Sequence, residues 1–156
     1  MERTLILIKP DAIQRQLVGT ILQRFENKGM KIAGLKMMQM TEDMAKEHYK
    51  DLVDKPFFPS LSEFMTSHPI IAIAIEGAGA VGICRKMTGA TFGMKAEPGT
   101  IRGDYGVSTS YNLIHSSEDK SAAERELKIF FKEEDFFSYN AVISQWVATE
   151  EDAQKA

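Results

Sequence analysis

From Tyr111 to Asp119 the chain reads Tyr-Asn-Leu-Ile-His-Ser-Ser-Glu-Asp, so that His115 ends a short apolar run and helix-starting residue types follow at once. Imidazole has an ordinary pKa of about 6.5, and at neutral pH much of it carries a free ring lone pair without a partner base. A histidine placed this way can attack phosphorus, carry a proton or simply pack at a strand end, and the local motif does not choose among these. Further along the chain, cations add a direction. Lys9 ends an apolar run, Arg85 follows a glycine-rich turn, and Arg102 sits within Pro98-Gly99-Thr100-Ile101-Arg102-Gly103-Asp104. Each alone reads as a solvated surface charge. Together they suggest a polyphosphate clamp, and an arginine whose loop is shaped by glycines suits bidentate phosphate contact.

Other chemistries find less support. Gly77-Ala78-Gly79-Ala80-Val81-Gly82 matches a dinucleotide fingerprint, but the flanking elements are not a run of β-α-β units and no acidic residue closes a following strand. The stretch reads instead as a turn that lets a small-residue helix start close to a sheet. No Gly-Lys dipeptide occurs, which excludes a Walker-type phosphate loop. The sole cysteine, Cys84, can form no disulfide within the chain and reads as a small buried hydrophobe. A net charge of −3, with both signs interspersed, argues against a nucleic-acid partner. The first residues lack a signal pattern and no apolar run reaches membrane-spanning length, so a soluble cytoplasmic protein is expected.

The elements that must position these residues follow from periodicity. Thr4 to Ile8 is an apolar run stopped by Lys9-Pro10, which predicts a buried strand. Val18, Ile21, Leu22 and Phe25 fall at helical spacing, and Gly29 supplies a terminator. A second strand is expected over about Lys31 to Met40, then a hairpin of two short helices, one carrying Met44, His48 and Leu52, the other Leu61, Phe64 and Met65. Ile70 to Ile75 predicts a third strand, followed by a helix from about Gly79 to Thr88. Gly89 to Gly106 reads as a long structureless loop, which in a compact domain is usually functional. The run to Ile114 predicts a fourth strand, and Ala123, Leu127, Phe130 and Phe131 line a helix. Tyr139, Val142, Ile143, Trp146 and Val147 predict a last helix, with a polar tail from 150 to 156. At 156 residues the expectation is one domain spanning 1–156, a helix-and-sheet sandwich around a four-stranded sheet.

These residues resemble the nucleoside diphosphate kinase family over essentially the whole chain. The match runs from Thr4-Leu5-Ile6-Leu7-Ile8-Lys9-Pro10-Asp11 through Arg24-Phe25-Glu26, His48-Tyr49, Pro56-Phe57-Phe58, Glu76-Gly77 and Met87-Thr88-Gly89-Ala90-Thr91 to Pro98–Asp104 and Asn112-x-x-His115. The resemblance implies an α+β, ferredoxin-like sandwich (βαββαβ with extra helices) with a four-stranded antiparallel sheet. It also implies a homo-oligomer, a hexamer in preference to a tetramer. The implied activity moves the γ-phosphoryl group of any nucleoside triphosphate to any nucleoside diphosphate, by a ping-pong route through a phosphohistidine. Carried over by residue, His115 is the implied nucleophile, Glu126 holds its other ring nitrogen and Ser117 supports them. Lys9, Tyr49, Arg85, Thr91 and Arg102 surround the phosphates, Lys9 and Asn112 approach the sugar, and Phe57 stacks on the base beside Leu61. Mg²⁺ is the implied cofactor, held mainly by the nucleotide phosphates and water, with no direct protein ligand.

The chain departs from the family pattern at Ser116 and Glu118, where glycine and aspartate are usual, and at Phe92-Gly93-Met94, where relatives tend to carry Asn-Pro-Ala. Polarity is kept at the first two, so activity is expected to survive. At the third, glycine leaves the unfolded loop more freedom than proline, so Gly93→Pro is expected to raise resistance to urea-induced dissociation. Two rival classes are an RNA-binding module, which lacks the aromatic strand consensus here, and an inactive interaction protein, against which His115, Lys9 and Arg102 are all present.

Overall fold

The computed structural model describes residues 1–155, and side chains through residue 152. Its strands are β1 (Glu2–Ile8), β2 (Lys31–Met38), β3 (Ile70–Gly77) and β4 (Ile114–Ser116), in the sheet order β2-β3-β1-β4. Every neighbouring pair is antiparallel, which makes this the ferredoxin-like α+β sandwich. With β1 and β3 central, both faces of each are covered, and that is why they read as unbroken apolar runs. Ile6, Ile8, Ile73 and Ile75 face Ile21 and Phe25 of α2 (Val18–Asn27) and Ala80 and Cys84 of α5 (Ala80–Thr88). Leu5, Leu7, Ala72 and Ala74 face Ala45 of α3 (Glu42–His48), Met65 of α4 (Phe58–Ser67), and Leu127 and Phe130 of α7 (Lys120–Phe130).

Local chemistry sets the ends of these helices. Thr41 caps α3 by accepting from Met44 N at 3.2 Å, and Asp119 caps α7 by accepting from Ala122 N at 2.7 Å. After α2, Gly29 takes φ +84° and Met30 N donates to Phe25 O at 3.0 Å, the αL termination that the glycine foreshadows. Gly79, at φ +61°, opens α5 directly off β3. In an antiparallel sheet this turn belongs to the scaffold and forms no dinucleotide crevice.

The structure differs from the sequence-based expectations in several places. A five-residue helix, α1 (Pro10–Gln14), follows β1 at once, with Pro10 at its first position, where a missing N–H costs nothing. The stretch from Gly89 to Gly106 is not structureless. It holds a 3-10 turn at Gly93–Lys95 and the helix α6 (Ile101–Tyr105), capped by Thr100 accepting from Gly103 N at 3.0 Å. The fourth strand begins at Ile114, so His115 is its central residue rather than the one after it.

The C-terminal apolar residues do not form one helix. Only α8 (Ser144–Val147) is helical, and Val142 and Trp146 are 88% and 84% exposed, because the core is already closed when the chain reaches them. The segment before α8 instead follows β2, with Phe137 N donating to Ala33 O at 2.8 Å and Tyr139 Oη to Ile32 O at 2.9 Å. Residues Glu150–Lys155 form α9 where a frayed tail is expected, and Ala156 lies outside the described residues. No helix among the described residues is long and apolar enough to cross a membrane.

Gly93 also corrects the expectation for its proline variant. A Cβ there would sit 2.6 Å from the Gly106 carbonyl carbon, and its N–H faces Ser108 O at 3.4 Å, a contact proline cannot make. Gly93→Pro is therefore expected to lower stability to urea by about 1–3 kcal/mol. A rise in the unfolding midpoint would restore the loop-entropy account.

Candidate active site

The register of β1 with β4 decides which way the histidine faces. His115 lies opposite Leu7, so its ring shares the face that packs on α3 and α7, while Ser116, opposite Ile6, points to the other face. On that face α7 presents Glu126 two turns beyond its Asp119 cap. His115 Nε2 lies 2.9 Å from Glu126 Oε2. The same oxygen accepts from Ser117 Oγ at 2.7 Å, and Ser117 Oγ accepts in turn from Leu5 N at 3.2 Å. A carboxylate oxygen only accepts, so the proton belongs on Nε2 and the lone pair on Nδ1. Burial holds the His115 pKa below its ordinary 6.5, and the Glu126 hydrogen bond and charge offset this only in part. For Glu126 burial acts upward, but the hydrogen bond from His115 leads the opposing effects and keeps it below the usual range. The ring is thus neutral at pH 7, with 19% of the side chain accessible.

Lys9, the residue after β1, is buried and donates from Nζ to Asn112 Oδ1 at 2.7 Å. Burial, then the nearby Arg102 charge, lowers its pKa to about 7. Asn112 Nδ2 reaches Thr91 O at 2.9 Å, so one amide ties the end of β1 to the exposed loop after α5. Arg102 is almost wholly inside. It donates from Nε to Asn112 O at 3.1 Å, from Nη1 to Gly89 O at 3.1 Å and from Nη2 to Ile114 O at 2.6 Å. A guanidinium has five N–H groups, so it anchors the backbone on both sides of Leu113 and at the end of α5 and still holds donors in reserve. Arg85, on α5, donates to Ser116 O at 3.3 Å and lines a groove of about 570 Å³ with Thr91, Lys95 and Thr100.

Tyr49 follows α3. Its Oη is buried with no hydrogen-bond partner, and burial first, then the Glu126 charge, raises its pKa. Phe57 and Leu61 stand one helical turn apart at the start of α4, the phenylalanine 53% exposed and the leucine partly covered. Their helix meets the site through α3 and through Phe64, whose ring packs edge-on against Tyr111 at 4.9 Å.

Sequence reasoning gave His48 no role, although its ring is the nearest aromatic neighbour of the central histidine. The two centroids are 4.5 Å apart at 80°, and His48 also abuts Phe130 at 5.3 Å. Neither His48 ring nitrogen has a hydrogen-bond partner, and burial, then the charges of His115, Lys9 and Arg125, holds its pKa well below 6.5. Its spacing from Met44 identifies only a buried helix face. One donor atom each from His48, His115 and Glu126 lies within 4.8 Å of the others. Within it Glu126 Oε2 is already shared by the hydrogen bonds of His115 and Ser117, while His48 meets His115 only by packing. A second groove of about 580 Å³, beside Arg3, Glu76, Phe131 and Phe136, lies away from His115, and its Arg3 and Glu76 pair with each other at 2.7 Å.

A neutral, partly accessible imidazole that feels the charges of Lys9 and Arg102 is the geometry beside which the comparison with known proteins stands. The family model for nucleoside diphosphate kinase matches residues 2–136. The chain belongs to the nucleoside diphosphate kinase family. It is 45% identical over 152 residues to the nucleoside diphosphate kinase of Rhodopirellula baltica, covering 97% of this chain and 100% of that one. With the Thermoplasma volcanium enzyme the identity is 51% over 139 residues, 89% of this chain and 95% of that one. Among solved structures, the halophilic nucleoside diphosphate kinase of Halobacterium salinarum in complex with CDP superposes with a TM-score of 0.93. The identity is 46%, over 95% of this chain and 99% of that one. A nucleoside diphosphate kinase family protein from Babesia bovis gives 0.92 at 38% identity, over 95% and 100%. Phosphotransfer between nucleotides is the activity of this family, and the chain is a phosphotransferase by that membership.

Proposed function

We propose that this nucleoside diphosphate kinase carries the phosphoryl group on His115 Nδ1. The observation that supports it is the 2.9 Å contact of Nε2 with Glu126, which leaves Nδ1 as the unprotonated nitrogen. In the first half-reaction Nδ1 attacks the γ-phosphorus of a nucleoside triphosphate, a P–N bond forms, the P–O bond to the β-phosphate breaks, and the diphosphate leaves. A second diphosphate then attacks the phosphohistidine with its terminal oxygen and reverses these bond changes. As the ring gains positive character, the Glu126 carboxylate compensates it, and Ser117 keeps that carboxylate in place.

Phosphoryl transfer asks mainly for position and charge compensation. Arg85, Thr91 and the remaining donors of Arg102 supply these to the phosphates, joined by Tyr49, whose buried hydroxyl still lacks a partner. Lys9 and Asn112 meet the sugar as a pre-formed pair. Mg²⁺ would ride mainly on the phosphates, since Glu126 holds His115 and Ser117 through Oε2 and faces Arg125 through Oε1. When bound, it withdraws charge from the phosphate oxygens. The base rests on Phe57 beside Leu61, where a π-face is read and hydrogen-bonding edges are not, so substrate range is broad. Phe57→Ala is expected to weaken every nucleotide by similar factors, equivalent to about 1–3 kcal/mol. Opposite changes for purines and pyrimidines would instead require a residue that reads base edges.

The chain acts as one cytoplasmic domain over 1–156, and no nucleic-acid partner is assigned. It assembles as a homo-oligomer, a hexamer in preference to a tetramer. Supporting assembly, Met37, Met94, Val142 and Trp146 are 61%, 74%, 88% and 84% exposed, large apolar side chains that a second copy could cover. Light scattering at micromolar concentration is expected to give the hexamer mass, and a monomer mass would overturn assembly without touching the chemistry. The phosphohistidine is tested by incubation with γ-labelled ATP and Mg²⁺, followed by a GDP chase. Acid-labile, alkali-stable label on the protein that passes to GTP is expected. An acid-stable label, as on serine, would overturn the proposal.

A further inference from the structure

Two residues before His115 the backbone turns in a way its residue type disfavours. Leu113 has φ +72° and is fully buried, and Ile114 N donates to Asn112 O at 2.8 Å, closing a three-residue turn of the rare, strained hand. Such a conformation persists only where its surroundings over-determine it. Here Lys9 N donates to Leu113 O at 2.9 Å, and Arg102 holds the carbonyls of Asn112 and Ile114. The amide of Leu113 itself is held by one side chain, Asp11, whose Oδ2 accepts from it at 3.1 Å. Asp11 sits in the first turn of α1, two residues after Lys9, so one short segment grips both the N–H and the C=O of Leu113, one in each of the two peptide planes that flank its φ and ψ. The other carboxylate oxygen, Oδ1, is buried with no hydrogen-bond partner, and the bond to Leu113 is the one that carries the side chain across to the strained turn.

What this turn carries gives the grip its function. On one side is Asn112, whose side chain bridges Lys9 and Thr91, and on the other are Ile114 and His115. Relaxing Leu113 toward negative φ would redirect both the asparagine amide and the strand that aims the imidazole. We infer that Asp11 is a positioning residue for phosphoryl transfer, its carboxylate holding Leu113 in the strained turn that sets Asn112 and His115 in register. The inference rests on the proposed role of His115. Asp11 also faces the charges of Lys9 and Arg102, so a purely electrostatic role is the competing account.

Three variants separate these accounts when phosphoenzyme formation from γ-labelled ATP is followed by rapid quench. Asp11→Ala is expected to slow labelling by about tenfold to a hundredfold while half-saturating ATP changes by less than about threefold, as for a misplaced nucleophile. Asp11→Asn keeps an acceptor oxygen without the charge and is expected to stay within about threefold of the parent rate. Asp11→Glu keeps the charge but displaces the oxygen by a methylene, so it is expected to be slow, and it answers the question if the alanine variant does not fold. Hydrogen exchange at the Leu113 amide is expected to quicken in the slow variants and not in Asp11→Asn. Labelling by Asp11→Ala at the parent rate, or an asparagine variant as slow as alanine, would overturn the inference. If the parent acquires no label on His115, the reading of the site fails instead. Unchanged Leu113 exchange in Asp11→Ala would then overturn the clamp separately.

Discussion

His115→Ala is expected to leave no acid-labile phosphoenzyme and to reduce nucleotide exchange by at least about 10⁴-fold, as when a covalent nucleophile is lost from a unit of cooperating groups. The neighbourhood holds no ready substitute. His48 is buried beneath the ring it abuts, with 4% of its surface accessible, and Ser116 points to the opposite face of the sheet. Ser117 Oγ is nearer, but it is buried and hydrogen-bonded to Glu126 and Leu5. Because the lost imidazole leaves Glu126 without its partner, some loss of stability is also expected, and the unfolding midpoint should be recorded beside the rate. The measurement is gel autoradiography after γ-labelled ATP, with acid and alkali treatment of the label. Acid-labile label that survives in the alanine variant would move the phosphate to another nitrogen, His48 first.

Lys9→Met is expected to abolish useful activity and yet make the protein more stable. In the folded chain burial lowers the Lys9 pKa from 10.5 to about 7. Carrying that ammonium indoors therefore costs on the order of a few kcal/mol, against which its bond to Asn112 Oδ1 returns only part. The pH dependence has a definite sign. Below about pH 7 folded and unfolded chains both hold the proton and the cost is felt in full. Above it the folded chain sheds a proton that the unfolded chain keeps up to the ordinary lysine range, so this group's contribution to stability rises with pH. The methionine variant is consequently expected to exceed the parent most at about pH 6 and least at about pH 9 in urea unfolding. A variant less stable than the parent at both values would mean that the Lys9–Asn112 bond outweighs burial. The parent enzyme would then owe stability, and not only function, to this cation.

Much of the molecule is legible in the linear chain because the forces that shape it there are local. The apolar runs of β1 and β3, the spacing of Ile21 and Phe25 on α2, the Gly29 terminator and the Asp119 cap each follow from residue type and neighbours a turn away. The residues proposed for phosphate chemistry rest on the family they resemble, and Lys9, Arg85 and Arg102 also on their being cations outside any Gly-Lys loop. The C-terminal apolar residues misled for the complementary reason. Periodicity announces that a face will be covered but not by what, and within one chain no core surface remained for Val142 and Trp146.

Tertiary structure alone decided the rest, because it depends on segments that meet from far along the chain. Lys9 reaches Asn112 from 103 positions away, and Ser117 bonds the backbone of Leu5 from 112. The pairing of Leu7 with His115 chooses the face on which the imidazole meets Glu126, and a slip of one residue would have presented Ser116 there instead. Arg102 reads in sequence as a phosphate ligand, whereas the fold gives three of its donors to backbone carbonyls around β4. Leu113 gives no sign in its residue type of a left-handed backbone, which exists only because Asp11, Lys9 and Arg102 converge on it. Composition and spacing determined which groups are available for the proposed chemistry, and long-range register and burial determined which nitrogen of His115 is left without the proton.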